Sequence, residues 1–377
     1  MSDFSYWEAK YFWHPANYVL VGGGITGLCT SIFLKRARPK ARVVLLERGA
    51  IPTGASTKNA GFACYGSLSE LIDDASQMGM DATLSLVEER VKGLAMLRQM
   101  LGDEHLNYEA CGGYELFVLG EEEAMHQCLE AMDEINRKIK GIDGLAPYKL
   151  CALEKAAQFG FSEGSQLISN PSEGLIDTGR AMRSLIDLAR EEGVDLYCGA
   201  EVCGFERDAC GIRVHMKGGS LSCDRLCIAT NAFAKELLPD VSLTACRAQV
   251  LITSPVDGLK LHGAFHHHQG YDYFRHLDGR VLFGGGRHTE REAEQRKGFG
   301  LSEGIQQYLE AFLQEHILRG QKYSIERRWS GIMGMGESKE VILREVSPDV
   351  FCAVRFGGMG IALGAAVAAK AHEMILK

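Results

Sequence analysis

Residues 18–47 constrain the fold more than any other stretch of this chain. Tyr18-Val19-Leu20-Val21 is a short apolar run, and Gly22-Gly23-Gly24-Ile25-Thr26-Gly27 follows without a spacer. Leu28 to Arg36 then reads as a helix, and Arg42 to Leu46 as a second apolar strand that ends in Glu47. Strand, glycine turn, helix and strand in this order form a right-handed βαβ unit, because parallel neighbours need a crossover and strand twist fixes its hand. Each glycine has a task. Gly22 permits the tight turn, Gly24 lets backbone approach a pyrophosphate, and Gly27 lets the helix pack closely on the sheet. The N–H groups of the first helical turn, around Ile25 and Thr26, and the positive end of the helix dipole face the same way, toward phosphates. Glu47 lies about 20 residues after Gly27, where an acid accepts hydrogen bonds from ribose hydroxyls and disfavours a 2′-phosphate. The competing reading is a tight structural turn with an incidental Glu47.

This unit by itself does not choose between a flavin and a nicotinamide dinucleotide. Two other segments favour FAD. Gly54-Ala55-Ser56-Thr57-Lys58-Asn59-Ala60-Gly61-Phe62 is a small, polar, glycine-bearing loop whose hydroxyls and N–H groups suit ribityl oxygens and a flavin ring edge. Phe356-Gly357-Gly358-Met359-Gly360 opens a helix running from about Ile361 to Lys377. A helix N-terminus at the flavin pyrimidine edge would stabilise an anionic reduced ring. An ordinary C-terminal packing helix explains the last cluster equally well. A nicotinamide enzyme would leave both segments without a task.

Composition narrows the remaining classes. A chain of 377 residues exceeds one ordinary core, so two domains are expected. The net charge is −8 and no Lys/Arg run tracks a phosphate backbone, which argues against nucleic acid as a partner. The 12 cysteines contain no C-x-x-C pair and no secretory signal precedes them, so a reducing cytoplasm is the expected setting. The longest apolar stretch, Ile361 to Ala369, is too short to span a bilayer. His266-His267-His268 invites a metal reading, but consecutive residues on a strand point to opposite faces, so no metal is expected.

Taken in order, these motifs resemble the D-amino-acid-oxidase-like superfamily of FAD enzymes, among them glycine oxidase, monomeric sarcosine oxidase and gamma-glutamylputrescine oxidase. The resemblance runs along nearly the whole chain. It begins with Ser5-Tyr6-Trp7, Gly22–Gly27 and Glu47, and continues through Gly54–Phe62, where the family shows G-A-S-x-x-N-x-G. Glu173-Gly174-Leu175-Ile176-Asp177 before a helix at Arg180 to Glu192, then Val194–Val202, Ala229-Thr230-Asn231-Ala232, Val281–Gly286, Trp329-Ser330-Gly331 and Gly357–Gly360 complete it. It implies non-covalent FAD held by Gly22, Gly24, Ile25, Thr26, Gly27, Glu47, Arg48, Ser56, Thr57, Asn59, Ala60, Gly61, Phe62, Val202, Thr230, Asn231, Gly331, Gly358, Met359, Gly360 and Ile361. Arg48 would cover the adenine and the Val202 backbone would bond it. Covalent attachment is not expected, since no Cys stands in Met333–Ser338, where sarcosine oxidase has one.

The implied fold class is α/β with an α+β second domain: a discontinuous Rossmann-like FAD-binding domain over residues 1–80, 151–242 and 325–377, and a mixed-sheet substrate domain over 81–150 and 243–324. Amphipathic stretches at Ala82–Leu101 and Glu121–Lys140 and a strand at Tyr114–Leu119 agree with this division. The implied reaction is oxidation of an amine or amino acid C–N bond by hydride transfer to flavin N5, with hydrolysis of the imine and electrons passing to oxygen. A dehydrogenase using a quinone or protein acceptor, a nicotinamide enzyme and a non-catalytic flavin protein are the alternatives. Relatives place substrate contacts on strands equivalent to Tyr271–Phe274 and Leu282–His288, which makes Tyr271, Tyr273, Arg275, Arg287 and His288 the pocket candidates. Arg would clamp a carboxylate and Tyr would pack on an alkyl chain. Amino-acid-oxidising relatives often carry an Arg soon after W-x-G, but Met333 stands there, which suits a polyamine or acylated amine.

Overall fold

The computed structural model describes residues 4–143, 147–209 and 211–377. Five parallel strands form the centre of the first sheet, in the order Val350–Val354, Gly219–Ile228, Ala16–Val21, Val43–Glu47 and Asp195–Cys198. Ile342–Ser347 adds an antiparallel edge. The long strand Gly219–Ile228 also pairs at its start with Gly211–Met216, which pairs in turn with Val202–Asp208, all antiparallel. The expected βαβ unit is Ala16–Val21, helix Ile25–Ala37 and Val43–Glu47.

Both faces of the central strands are covered, which is why Val43–Leu46 and Val350–Val354 are apolar and buried throughout. Leu20, Leu45 and Cys227 point to one face and meet Leu28 and Ile32, Leu185 of helix Thr178–Glu191, and Ala365 and Ala368 of helix Gly360–Leu376. Their neighbours Val19, Val21, Val44 and Leu46 point to the other face and pack on Ile212, Val214 and Leu221. Alternation of side chains along a strand produces both cores from one set of residues.

The second sheet also has eight strands, ordered Ile325–Met335, Thr244–Thr253, Arg280–Gly285, Asp272–Leu277, Ala264–His267, Gly113–Phe117, Gln166–Asn170 and Lys149–Leu150. It is antiparallel apart from the pair Ala264–His267 and Gly113–Phe117. One face buries Leu251, Phe265, Phe274 and Phe283 against helix Glu303–Phe312 and the π turn Leu313–Ile317. On the other, Val250, Tyr273 and Leu282 pack around Phe62 and Ala60, while Phe117 joins a cluster with Met125 and Ile135 of helix Glu122–Asp143. Strand pairing puts Gln166–Asn170 and Ile325–Met335, both within ranges assigned from the sequence to the FAD-binding domain, in this second sheet. Apolar pattern marks a strand but does not name its partner.

The sheets meet at the loop 54–62. Trp329 Nε1 donates to Lys58 O at 2.9 Å. Arg275, 2% exposed, donates through Nη1 to Ile176 O at 2.7 Å and to Ala60 O and Gly61 O at 3.2 and 3.3 Å. The loop is thereby fixed to both halves of the molecule.

Candidate active site

A cavity of about 460 Å³ lies at this junction, walled by the C-terminal ends of the first sheet, the loop 54–62 and the inner face of the second sheet. Ligands of open α/β sheets bind outside the carboxyl ends of the strands. At one end of the wall the chain turns from Val21 into helix Ile25–Ala37. Gly22 has φ +111°, and a Cβ there would lie 2.7 Å from Ala229 O. Gly27 sits where a Cβ would lie 2.0 Å from Gly22 O, so its helix touches the turn it follows. Both positions therefore require glycine. The helix has no side chain of its own N-cap; instead Ile25 N–H donates to Ser56 Oγ at 3.1 Å. Its N-terminus is held open toward the cavity.

Glu47 ends its strand with the carboxylate in the cavity wall, only 7% exposed. Its Oε2 accepts Gly23 N–H and its Oε1 accepts Gly49 N–H, each at 2.9 Å. Each oxygen keeps a second lone pair for a hydroxyl. Beyond it, Arg48 lies over the Phe233 ring, 3.8 Å from its centroid, and Val202 opens the strand behind them. Thr230 Oγ1 is buried in the wall with no hydrogen-bond partner among the described residues. Gly331, Gly358, Met359, Gly360 and Ile361 close the opposite side, with the N-terminus of helix Gly360–Leu376 directed into the space. The glycine cradle, an acid for ribose, an orphaned hydroxyl and two open helix ends fit a dinucleotide.

Of the sequence candidates for this group, Gly22, Gly24, Ile25, Thr26, Glu47, Arg48, Ser56, Asn59, Ala60, Gly61, Phe62, Val202, Thr230, Asn231, Gly331, Gly358, Met359, Gly360 and Ile361 all line the cavity. Gly27 and Thr57 do not. Thr57 Oγ1 donates to Pro52 O at 2.9 Å and shapes the loop. Asn59 has a double role: it faces the cavity, yet all its polar atoms are engaged locally. Nδ2 donates to Ala55 O and Ser56 O, while Oδ1 accepts Gly61 N–H and the Thr178 hydroxyl.

The pocket candidates divide. Tyr271, Tyr273 and Arg287 line the cavity, but Arg275 and His288 do not. Arg275 shares its strand face with Tyr273, but its guanidinium is drawn to the three carbonyls already described and stays outside the wall. His288 stacks on His268 with ring centroids 4.3 Å apart, outside the wall. Arg287 packs its guanidinium over the Tyr271 ring, 5.3 Å from the centroid. It has no hydrogen bond and no carboxylate partner among the described residues. Tyr273 stands edge-on to Phe62, with ring centroids 5.8 Å apart. Burial, reinforced by Asp272 and opposed by Arg287, pushes its hydroxyl up to about 12, so it remains a neutral donor. Met333 lies opposite Gly358, its Sδ 3.7 Å from where a Cβ would stand. Arg355 stays outside, donating to Glu340 O, Ser242 O and Ser338 Oγ.

Two polar features of the wall were not marked as pocket residues by the sequence. His266 Nε2 lies 3.1 Å from Glu173 Oε2, and Glu173 also accepts the N–H groups of Tyr65 and Gly66. Burial opposes the His266 charge, but Glu173, Glu70 and Glu115 outweigh it and raise its pKa. Lys339, from a loop without a motif, pairs with Glu70 at 3.0 Å and with buried Asp74 at 2.6 Å. The E-G-L-I-D stretch and the His triplet were visible; their meeting across the fold was not.

Burial works against ionisation of Glu70, but Lys339 and Arg90 outweigh it and hold its carboxyl down at about 2, against 4.5 ordinarily. A carboxyl depressed in the folded state contributes stability above its unfolded pKa and loses it as pH falls through the folded value. Glu70→Gln should therefore destabilise the protein most at neutral pH. The difference from the parent in urea midpoint should shrink steadily between about pH 4.5 and pH 2. An equal difference at pH 7 and pH 3 would rule out this ion pair as the cause.

A model of the family described as FAD dependent oxidoreductase matches residues 17–374. The chain is 25% identical over 371 residues to "Probable oxidoreductase OrdL" of Rhizobium meliloti (strain 1021), covering 92% of this chain and 80% of that protein. Glycine oxidase from Geobacillus kaustophilus superimposes with a TM-score of 0.77 at 19% identity, over 96% of this chain and 95% of that one. L-Proline dehydrogenase from P. horikoshii gives 0.75 at 18% identity, over 97% and 94%.

Proposed function

Because the chain belongs to the FAD-dependent oxidoreductase family and takes FAD as its cofactor, we propose that it oxidises the C–N bond of a small amine or amino acid bearing an anionic group. One observation carries this reading: Arg287 presents an unpaired guanidinium to the cavity, propped on Tyr271. A half-buried guanidinium without a partner at a cavity wall suits a ligand carboxylate or similar anion, which accepts two parallel hydrogen bonds from it. Arg287 thus takes the clamping role that Met333 cannot fill.

FAD, when bound, supplies the two-electron acceptor for the hydride leaving the substrate C–H. We assign its dinucleotide part to Gly22, Gly24, Ile25, Thr26, Glu47, Arg48 and Val202, and the rest to Ser56, Ala60, Gly61, Phe62, Thr230, Asn231, Gly331 and Gly358–Ile361. The chain's own groups orient the substrate. Arg287 fixes the anion, Tyr273 donates one hydrogen bond, and Phe62, Val250 and Met333 exclude water around the reacting carbon. Water then hydrolyses the imine product. Arg287, with no carboxylate partner among the described residues, places positive potential in the cavity, which favours oxygen as the electron acceptor. The two structural relatives are named as an oxidase and a dehydrogenase, so acceptor chemistry varies on this fold.

The test is anaerobic addition of amines and amino acids to the yellow protein, followed by admission of air. Bleaching of the visible band by an anionic amine, and its return with oxygen uptake, is the expected outcome. Bleaching only by amines without an anionic group would remove Arg287 from the proposal. Return of colour only with a quinone or dye would reassign the acceptor.

A further inference from the structure

The His266-His267-His268 run does not stay extended. Strand Ala264–His267 ends at His267, and His268 and Gln269 follow with φ +52° and +56°. This left-handed turn breaks the alternation of faces. His266 goes to the cavity side, while His267 and His268 come together with ring centroids 5.8 Å apart. Glu121, at the start of helix Glu122–Asp143, reaches the same place. Ligand atoms of Glu121, His267 and His268 lie within 4.8 Å of one another.

The groups behind these atoms are arranged as a metal centre requires. Asp272, fully buried, faces His267 Nδ1 at 3.2 Å and accepts its proton. Asp272 is itself fixed by the Tyr308 hydroxyl at 2.5 Å and by Gly286 N–H at 2.7 Å. This fixes the ring so that Nε2 shares a proton with Glu121 Oε1 at 2.9 Å. Glu121 Oε2 is occupied by Val118 N–H at 2.9 Å, which leaves Oε1 forward. A carboxylate behind a ligating imidazole fixes its orientation and raises its basicity. His268 is exposed and its ring nitrogens make no hydrogen bond among the described residues, so they are available.

The other two such clusters among the described residues lack this arrangement. His276 Nδ1 accepts Gly263 N–H at 3.1 Å, so its Nε2 carries the proton that goes to Glu109. His266 spends Nε2 on Glu173 inside the cavity wall already described.

We propose that Glu121, His267 and His268 bind one divalent first-row cation of the zinc type, with water completing a four-coordinate shell. The ion replaces the proton shared between His267 Nε2 and Glu121 Oε1, and that proton leaves to solvent. Two imidazoles, one carboxylate and a water are a standard zinc ligand set. Gln269, Gly270 and Tyr271, which continue from His268, line the cavity, so the ion would fix the cavity lip to helix Glu122–Asp143. This inference is independent of the proposed reaction.

The experiment uses FAD-loaded protein stripped with a chelator. Zn²⁺ binding is measured by equilibrium dialysis with elemental analysis, and Co²⁺ binding by absorption above the flavin band. The expected result is one ion per chain with a nitrogen and oxygen ligand field and no thiolate charge-transfer band. His268→Ala, at an exposed position that does not endanger folding, should weaken Zn²⁺ at least tenfold. Asp272→Asn should weaken it about 10–100-fold. Zn²⁺ should raise the unfolding temperature of the parent and not that of His268→Ala. No saturable ion, thiolate bands, or equal affinity in the parent, His268→Ala and Glu121→Gln would each overturn the assignment.

Discussion

Arg287→Ala should raise KM for the anionic amine substrate by a factor of about 30 to several thousand, while the protein stays yellow. The magnitude follows from truncating one partner of a desolvated, hydrogen-bonded charge pair, which costs about 2–5 kcal/mol. Arg287 lines the cavity on the Tyr271 ring, whereas Arg291, which holds the same ring and its hydroxyl, does not reach the cavity wall. The anion lies apart from the breaking C–H bond, so the contact is made in ground and transition states alike. KM should therefore change more than kcat. Arg287→Lys should recover only part of the loss, because an ammonium keeps the charge but not the planar fork. Steady-state kinetics and the flavin content of each variant measure all of this. An unchanged KM in Arg287→Ala, with FAD bound, would return Arg287 to the cavity lip and remove the anion from the substrate.

The opposite pattern is expected at Glu47. Glu47→Ala should weaken FAD by about 100-fold or more, since hydrogen bonds to a charged group are worth about 1.5–3 kcal/mol each. The loss has two parts. The ribose hydroxyls lose their acceptor, and the N–H groups of Gly23 and Gly49 lose the carboxylate that holds the phosphate-facing turn in shape. Glu47→Gln keeps one acceptor oxygen and should fall between. Fluorescence quenching on titrating FAD into the stripped protein gives the affinities, and circular dichroism confirms that the fold persists. FAD retained at parental affinity would place the ribose elsewhere. Arg287→Ala should thus lose substrate and keep FAD, and Glu47→Ala should lose FAD first.

Part of this protein was readable residue by residue. Local rules sufficed for the βαβ unit, because strand, glycine turn, helix and terminal acid are neighbours in sequence and each states its own requirement. Gly22 at φ +111° and Gly27 against Gly22 O are consequences of that local geometry. The apolar strands of the first sheet were equally legible, since burial on both faces leaves no polar alternation to misread. Tertiary structure decided what depends on partners distant in the chain. Tyr273 and Arg275 lie two residues apart on one strand, yet one enters the cavity and the other clamps Ala60, Gly61 and Ile176. Gln166–Asn170 and Ile325–Met335 pair into the second sheet, because strand partners are chosen by packing rather than by local pattern. Glu173 met His266, and Lys339 met Glu70, across separations that no motif spans. The His triplet shows the limit most directly: alternation held as far as His267, and a left-handed residue at His268 then brought two imidazoles to one side. Sequence states what each segment can do alone; which side chains share a space is set by how the segments close on one another.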